Sequence, residues 1–276
     1  MNNMSEQQGL IESFHTDGYA ILRDVVDRNA ITALQEASVE KYRDLVDAHG
    51  NYDSDGVCNT VSFAKQIGRD HDVEALINRV SRSPNLIDPL ELILGPDISM
   101  NYEIALIVND PADRSSVTNK PYHQEQWTGA LSDDLTVWIP VTPVDEKNTL
   151  NVVPGSHFYG ALPHRNRNLV PMDGFAIDGV RTITDINVGD ALVFHSLLLH
   201  GTAGRSDNLR IALTRIYRPT FAPMSRRMQA RGSICIKQGV LSRIRDALGN
   251  DAYSPLRTYG GKVSNLPKHM EDDFQV

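Results

Sequence analysis

The stretch Ala191-Leu-Val-Phe-His195-Ser-Leu-Leu-Leu-His200-Gly201-Thr202, followed by Arg210-Ile-Ala-Leu-Thr-Arg-Ile-Tyr217, decides how this chain is read. The first run is an apolar strand that ends in a histidine and a glycine turn. The second alternates, so that Arg210, Ala212 and Thr214 share one face, with Ala212 and Thr214 small enough to line an interior. A histidine at the mouth of a barrel strand is where a metal ligand would sit. An arginine that faces inward needs a carboxylate partner, because an unpaired buried charge is prohibitively costly. The distal carboxylate of a dicarboxylic co-substrate, gripped bidentately, would be that partner.

The same texture extends around these two runs. Between 98 and 219 the chain consists of short apolar or alternating runs, 103–108, 135–144, 191–199 and 210–217, separated by Pro, Gly, Asn and Asp turn signals. That pattern predicts a β-sandwich or jelly roll with helices packed outside it, not a series of βαβ units. Upstream, 19–26 reads as a short strand. After Asp27 the residues Ile31, Leu34, Tyr42 and Leu45 fall on one helical face, with Gly50 as the stop. A second helical stretch over 72–94 is broken near Pro84 and Pro89 and ended by Gly95-Pro96. Beyond Pro219, 224–248 is predicted as helix. The expected organisation is one domain, 1–276, mainly β, with a helical N-terminal region over 1–97, a jelly-roll core over 98–219 and a C-terminal lid or tail over 220–276.

Pro121-Tyr-His123-Gln-Glu125-Gln-Trp127 places an imidazole and a carboxylate two residues apart. On a strand these share a face and can bind one divalent metal at adjacent positions. One more histidine completes a two-histidine, one-carboxylate facial set that leaves coordination positions open. His-x-Glu alone is common by chance, and a surface strand is the bland alternative. The second histidine has two candidates: an odd separation puts His195 and His200 on opposite faces of a regular strand, so only one serves. His200, with Gly201-Thr202 behind it, is preferred, and His195 is read as a hydrogen-bonded wall residue. Trp127 is equally a pocket wall or core packing.

These residues resemble the phytanoyl-CoA dioxygenase family of iron and 2-oxoglutarate oxygenases, and the resemblance covers most of the chain. Phe14-His-Thr-Asp-Gly18-Tyr19 is similar to that family's N-terminal signature and His123-Gln124-Glu125 to its H-x-[DE] motif. Trp138 and then Val153-Pro154-Gly155-Ser156-His157 are similar to its central strand and turn, and His200-Gly201-Thr202 with Arg210 to its distal ligand and co-substrate clamp. The resemblance implies a double-stranded β-helix, Fe(II) bound by His123, Glu125 and His200, and 2-oxoglutarate as co-substrate. It further implies that Thr202 and Arg210 contact the distal carboxylate, that Trp138 lies close by, and that O2 oxidises a small-molecule substrate. Two residues depart from the family pattern: Glu125 stands where aspartate is usual, and Thr149 follows Asn148 where glycine is common.

A net charge of −8 over 276 residues argues against nucleic acid or an anionic membrane as partner. The two cysteines, Cys58 and Cys235, form no CxxC pair and read as buried thiols. No apolar run reaches membrane-spanning length, and the polar start of the chain lacks a signal core, so a cytoplasmic setting is expected. A homodimer is left open. Two other classes compete with the oxygenase: a cupin-like metal-dependent isomerase or hydrolase, which needs no buried arginine, and a catalytically silent binding protein, which would have lost a ligand. Within the oxygenase class, hydroxylation, desaturation, ring formation and epimerisation all remain open.

Overall fold

The computed structural model describes residues 4–52, 59–101, 105–112, 120–166, 168–170, 176–204, 206–225 and 232–247. In chain order the elements are α1 (Met4–Asp17), β1 (Tyr19–Leu22), α2 (Arg28–His49), α3 (Thr60–Arg69), α4 (His71–Ser81) and α5 (Pro84–Leu94). Then follow β2 (Ile98–Asn101), β3 (Ala105–Asn109), β4 (Leu135–Pro140), β5 (Leu150–Val152), β6 (His164–Arg165), β7 (Asn168–Leu169) and β8 (Arg181–Thr182). The last are β9 (Ala191–His195), β10 (His200–Thr202), β11 (Arg210–Pro219), β12 (Ser233–Lys237) and α6 (Val240–Ala247).

A 7-stranded sheet runs β1-β9-β4-β11-β2-β12, with β3 also on β11, and a 3-stranded sheet runs β10-β5-β8. All the strand pairs are antiparallel. The large sheet is covered on both faces, which is why its strands read as nearly continuous apolar runs. Alternation sorts its side chains cleanly. Leu135, Val137, Ile139, Ala191, Val193, Ile211, Leu213 and Tyr217 join one core with Leu34, Phe63, Ile77 and Leu90 of the helices. Trp138, Leu192, Phe194 and Ala212 point the other way and join Leu150 and Val152 of the small sheet. Each such aliphatic side chain buried contributes about 1.5–3 kcal/mol, so the jelly-roll sandwich and its helical cover are held by one sheet's two faces.

Several local expectations are corrected. The strand over 19–26 stops at Leu22, because Asp24 turns the chain at φ 48 and its amide donates to Asp190 Oδ1 at 2.9 Å. The break expected near Pro84 is present, with two helices meeting at Arg82-Ser83, where the Ser83 hydroxyl donates to Val25 O at 2.6 Å, but the one expected near Pro89 is not. Pro84 opens α5, and Pro89 sits inside it without breaking it. Helix α3 was not expected, although its buried Thr60, Phe63, Ala64 and Ile67 carry the helical spacing.

The 191–199 run is not one strand: β9 ends at His195, and β10, from His200, belongs to the other sheet. Of the helix expected over 224–248, residues 226–231 and 248 lie outside the described residues; among those described, 233–237 form β12, which pairs with the otherwise open edge of β2, and only Val240–Ala247 is helical. Cys235 is exposed on β12, not buried. Glu103 and Cys58 lie outside the described residues.

Candidate metal and co-substrate site

His123 and Glu125 were expected on one strand face; the structure brings them together by another route. His123 is tied to β10 by a reciprocal backbone pair, His123 N to His200 O at 2.8 Å and His200 N to His123 O at 3.0 Å. Glu125 begins a 3-10 turn, Glu125–Thr128. Between them Gln124 is extended, at φ −115 and ψ 142, so its neighbours project to one side and it projects to the other. Its fully buried amide donates to Gly160 O (2.9 Å) and Leu197 O (2.6 Å) and accepts from Leu162 N (2.9 Å). Gln124 thus pins the motif to two loops. Sequence reading missed it, although a polar residue between two candidate ligands was a visible signal.

Glu125 Oε1 lies 3.7 Å from His123 Nε2 and 3.5 Å from His200 Nε2. These donor atoms all fall within 4.8 Å of one another, in a site where His123 is 6% and His200 3% exposed. Each ring is aimed by its other nitrogen: His123 Nδ1 is 2.9 Å from Pro121 O and His200 Nδ1 is 3.0 Å from Leu198 O. A carbonyl only accepts, so Nδ1 carries a proton, and Nε2 is the nitrogen turned toward Glu125. Burial works to raise the Glu125 carboxyl, and the hydrogen bonds and charge of the two imidazoles overcome it and hold the group well below the usual carboxylate range. Burial lowers the His200 imidazole. A divalent metal entering the site would displace any proton on Nε2 and find the carboxylate already anionic.

Gly201 lies flat against the chain that carries His123. A Cβ there would meet Lys120 O and Tyr122 N at 3.1 Å and Pro121 C at 3.2 Å. His195 is elsewhere: its Nδ1 accepts from Leu197 N at 3.0 Å, its ring lies 5.4 Å from that of His157, and burial pushes its pKa down to about 4.

The triad opens into a cavity lined also by Trp138, Phe194, Leu150, Thr202, Arg210 and Thr214, with Ile107 and Lys120. Arg210 is 1% exposed, donates through Nη1 to Asn148 O, and lies with its guanidinium 6.0 Å from the Trp138 ring centre. Burial lowers its pKa to about 10, and no carboxylate pairs with it among the described residues. Arg210 Nε, Trp138 Nε1 and Thr214 Oγ1 are all buried without a hydrogen-bond partner among the described residues. A cavity with orphaned donors at one end and a two-histidine carboxylate set at the other is chemically suited to a metal and an anion that chelates it. Thr214, expected on the inward face with Arg210, does line the cavity, whereas Lys120 and Leu150 were not anticipated at the site. Trp127 does not line this cavity; its ring stacks on His164 at 4.7 Å and 13°. Thr149, at the departure from the family turn, is fully buried and donates to Ile183 O at 2.7 Å.

Comparison with known proteins agrees with this architecture. A curated relative, the peroxisomal phytanoyl-CoA dioxygenase of Rattus norvegicus, is 26% identical over 145 residues, 48% of this chain and 42% of the rat protein. The match therefore spans less than half of that relative. Solved structures with the same fold include apo ThoJ, a non-heme monooxygenase (TM-score 0.58, 17% identity, 83% of this chain and 84% of that one). Another is the epimerase SnoN in complex with Fe3+, alpha ketoglutarate and nogalamycin RO (TM-score 0.58, 17% identity, 82% and 88%). A third is the alpha ketoglutarate dependent carbocyclase SnoK (TM-score 0.51, 18% identity, 79% and 86%). At these identities the likeness is one of fold. The family model described as phytanoyl-CoA dioxygenase (PhyH) matches residues 14–212, well over half of the sequence, and the chain belongs to that family.

Proposed function

We propose that this protein is a non-haem Fe(II)- and 2-oxoglutarate-dependent dioxygenase that oxidises, most simply by hydroxylation, an unactivated C–H bond of a small-molecule metabolite. The observation that carries the reading is Arg210: a nearly fully buried guanidinium with an unspent Nε–H, in the same cavity as His123, Glu125 and His200. A Lewis-acid isomerase or hydrolase has no need of that cation, and a silent binding protein has no need of all three ligand residues.

On this reading His123, Glu125 and His200 hold the iron, and Arg210 with Thr202 receives the distal carboxylate of 2-oxoglutarate. Trp138 forms the wall beside it and offers its indole N–H. When bound, the iron supplies the coupling of 2-oxoglutarate decarboxylation by O2, which releases succinate and CO2, to substrate oxidation. The residues supply aim and a dry wall: Phe194 and Leu150 line the cavity with apolar surface, and the Nδ1 hydrogen bonds keep both imidazoles oriented. The chain acts as one catalytic unit, since β1 and β12, from opposite ends of the described chain, belong to the sheet that carries Arg210.

The test is anaerobic loading of the purified protein with Fe(II) and 2-oxoglutarate, then admission of O2 in a metabolite screen. Succinate release that requires both O2 and a metabolite is the expected outcome. Because the structurally similar SnoN and SnoK are an epimerase and a carbocyclase, products should be checked for changes in configuration and ring count as well as added oxygen. Turnover without 2-oxoglutarate would overturn the reading.

A further inference from the structure

Both histidines of the triad are aimed by a hydrogen bond to the carbonyl two residues before them. Glu125 is a longer side chain with more rotatable bonds, and a carboxylate left free can offer a metal one oxygen or both. Its only aiming contact outside the triad, among the described residues, comes from the 3-10 turn that it begins. In a 3-10 turn the side chains at i and i+3 eclipse, so Thr128 stands over Glu125. The Thr128 hydroxyl lies 2.8 Å from Glu125 O and 3.1 Å from Glu125 Oε2. The other oxygen, Oε1, is the one that faces His123 Nε2 and His200 Nε2.

We propose that Thr128 is a positioning residue of the metal centre: by donating to Oε2 it engages one carboxylate oxygen and presents Oε1 to the metal as a single-atom ligand. The proposal rests on the reading of the triad as a metal site. It also accounts for why the motif leaves the strand at Glu125. On a strand, a residue three positions on points to the opposite face; only the turn brings a hydroxyl back over the carboxylate. A hydrogen bond to a carboxylate is charge-assisted, so Oε2 competes well with the backbone carbonyl for the same hydroxyl proton. Such supports of a metal ligand are commonly worth about 10–100-fold in metal affinity.

The test is equilibrium titration of the full-length apo-protein with Co(II) alone, read by cobalt ligand-field absorption, together with thermal melts of the metal-free protein. Wild-type protein should bind Co(II), and His123→Ala should not. Thr128→Val, nearly isosteric but without the hydroxyl, should weaken binding about 10–100-fold, and Thr128→Ser should restore it to within about threefold. In a Glu125→Gln background the same Thr128→Val change should cost less than about twofold, since coupled residues are not additive.

Wild-type and Thr128→Val proteins that bind Co(II) equally would overturn the proposal and leave the triad reading intact. Equal losses from Thr128→Val in both backgrounds, tracking a drop in metal-free melting temperature, would also overturn it, because Thr128 would then only close the turn. No Co(II) uptake that depends on His123 would defeat the triad reading and this proposal together.

Discussion

Arg210 and Arg215 lie on the same strand, both almost fully buried, and they are satisfied in opposite ways. Arg215 points to the helical face, where Nε donates to Ser81 Oγ (3.3 Å), Nη1 to Asn101 O (3.3 Å) and Nη2 to Asn78 Oδ1 (3.4 Å). Arg210 points between the sheets, where one backbone carbonyl meets Nη1 and Nε meets nothing among the described residues. Burial of a charge is thus no sign of function by itself; what separates the two is whether the protein has already used the donors. The helical face of β11 spends its polar groups on the fold, and the inner face leaves Arg210 Nε and Thr214 Oγ1 without a partner among the described residues.

The comparison breaks most visibly at the triad. His123→Ala and His200→Ala should each lose bound iron and turnover altogether, by metal analysis and succinate assay, whereas His195→Ala should keep measurable iron. Iron lost from His195→Ala and kept in His200→Ala would reverse the assignment. Next in size is the contrast between the two arginines. Arg215→Ala leaves buried partners unsatisfied and a cavity behind, so it should cost about 2–5 kcal/mol of stability while the surviving folded protein keeps its 2-oxoglutarate dependence.

Arg210→Ala should do the reverse. Truncation of a buried charge that meets its partner costs about 2–5 kcal/mol of binding, a rise in 2-oxoglutarate requirement of roughly ten- to a thousandfold or more. The melting temperature of the ligand-free protein should hold or rise, because an under-satisfied buried charge has been removed. A variant that unfolds with unchanged co-substrate dependence would make Arg210 a structural residue like Arg215.

A smaller effect sharpens the contrast at the end of β9, where His195 follows Ala191 and Val193 on the helical face and its ring lies 6.3 Å from that of Phe14. His195 titrates at about 4 in the folded protein against 6.5 as its ordinary value, with burial as the first cause and His157 as the second. Between those values the unfolded chain binds more protons, so stability should fall as pH drops from about 6.5 and level off below about 4. His195 is only partly buried, so about 1–2 kcal/mol is expected from a shift of this kind after solvent screening. Denaturant midpoints measured across this range should flatten in His195→Gln. An unchanged slope would place the acid sensitivity elsewhere.

The sandwich and the gathering of His123, Glu125, His200 and Arg210 around one cavity were legible in the sequence for a physical reason. A sheet buried on both faces leaves continuous apolar runs, and a charged or imidazole side chain within such a run has to be used for something. The routes that bring the residues together were not legible. His123 and Glu125 do flank an extended Gln124, as the period-2 pattern requires, but no regular strand carries them: tertiary hydrogen bonds from Gln124 hold the segment and a 3-10 turn begins at Glu125. The break after His195 was hidden by the three leucines that follow, which look the same to a hydrophobic pattern whether the chain runs straight or crosses between sheets. Strand β12 was missed because Ile234 and Ile236 alternate over too short a span, and the open edge that they fill is set by β2, far away in sequence.

Gly201 carries a consequence for anyone who redesigns this centre. The gap between the two segments that bear the histidines is set by a residue with no side chain, pressed to within 3.1 Å of the opposite backbone at its missing Cβ. A single methyl group there would act as a spacer: the neighbouring chain would have to give by a few tenths of an ångström, and with it the segment that bears His123. The spacing of two imidazoles is thus open to adjustment from a position that touches neither ring and whose contribution is to be thin.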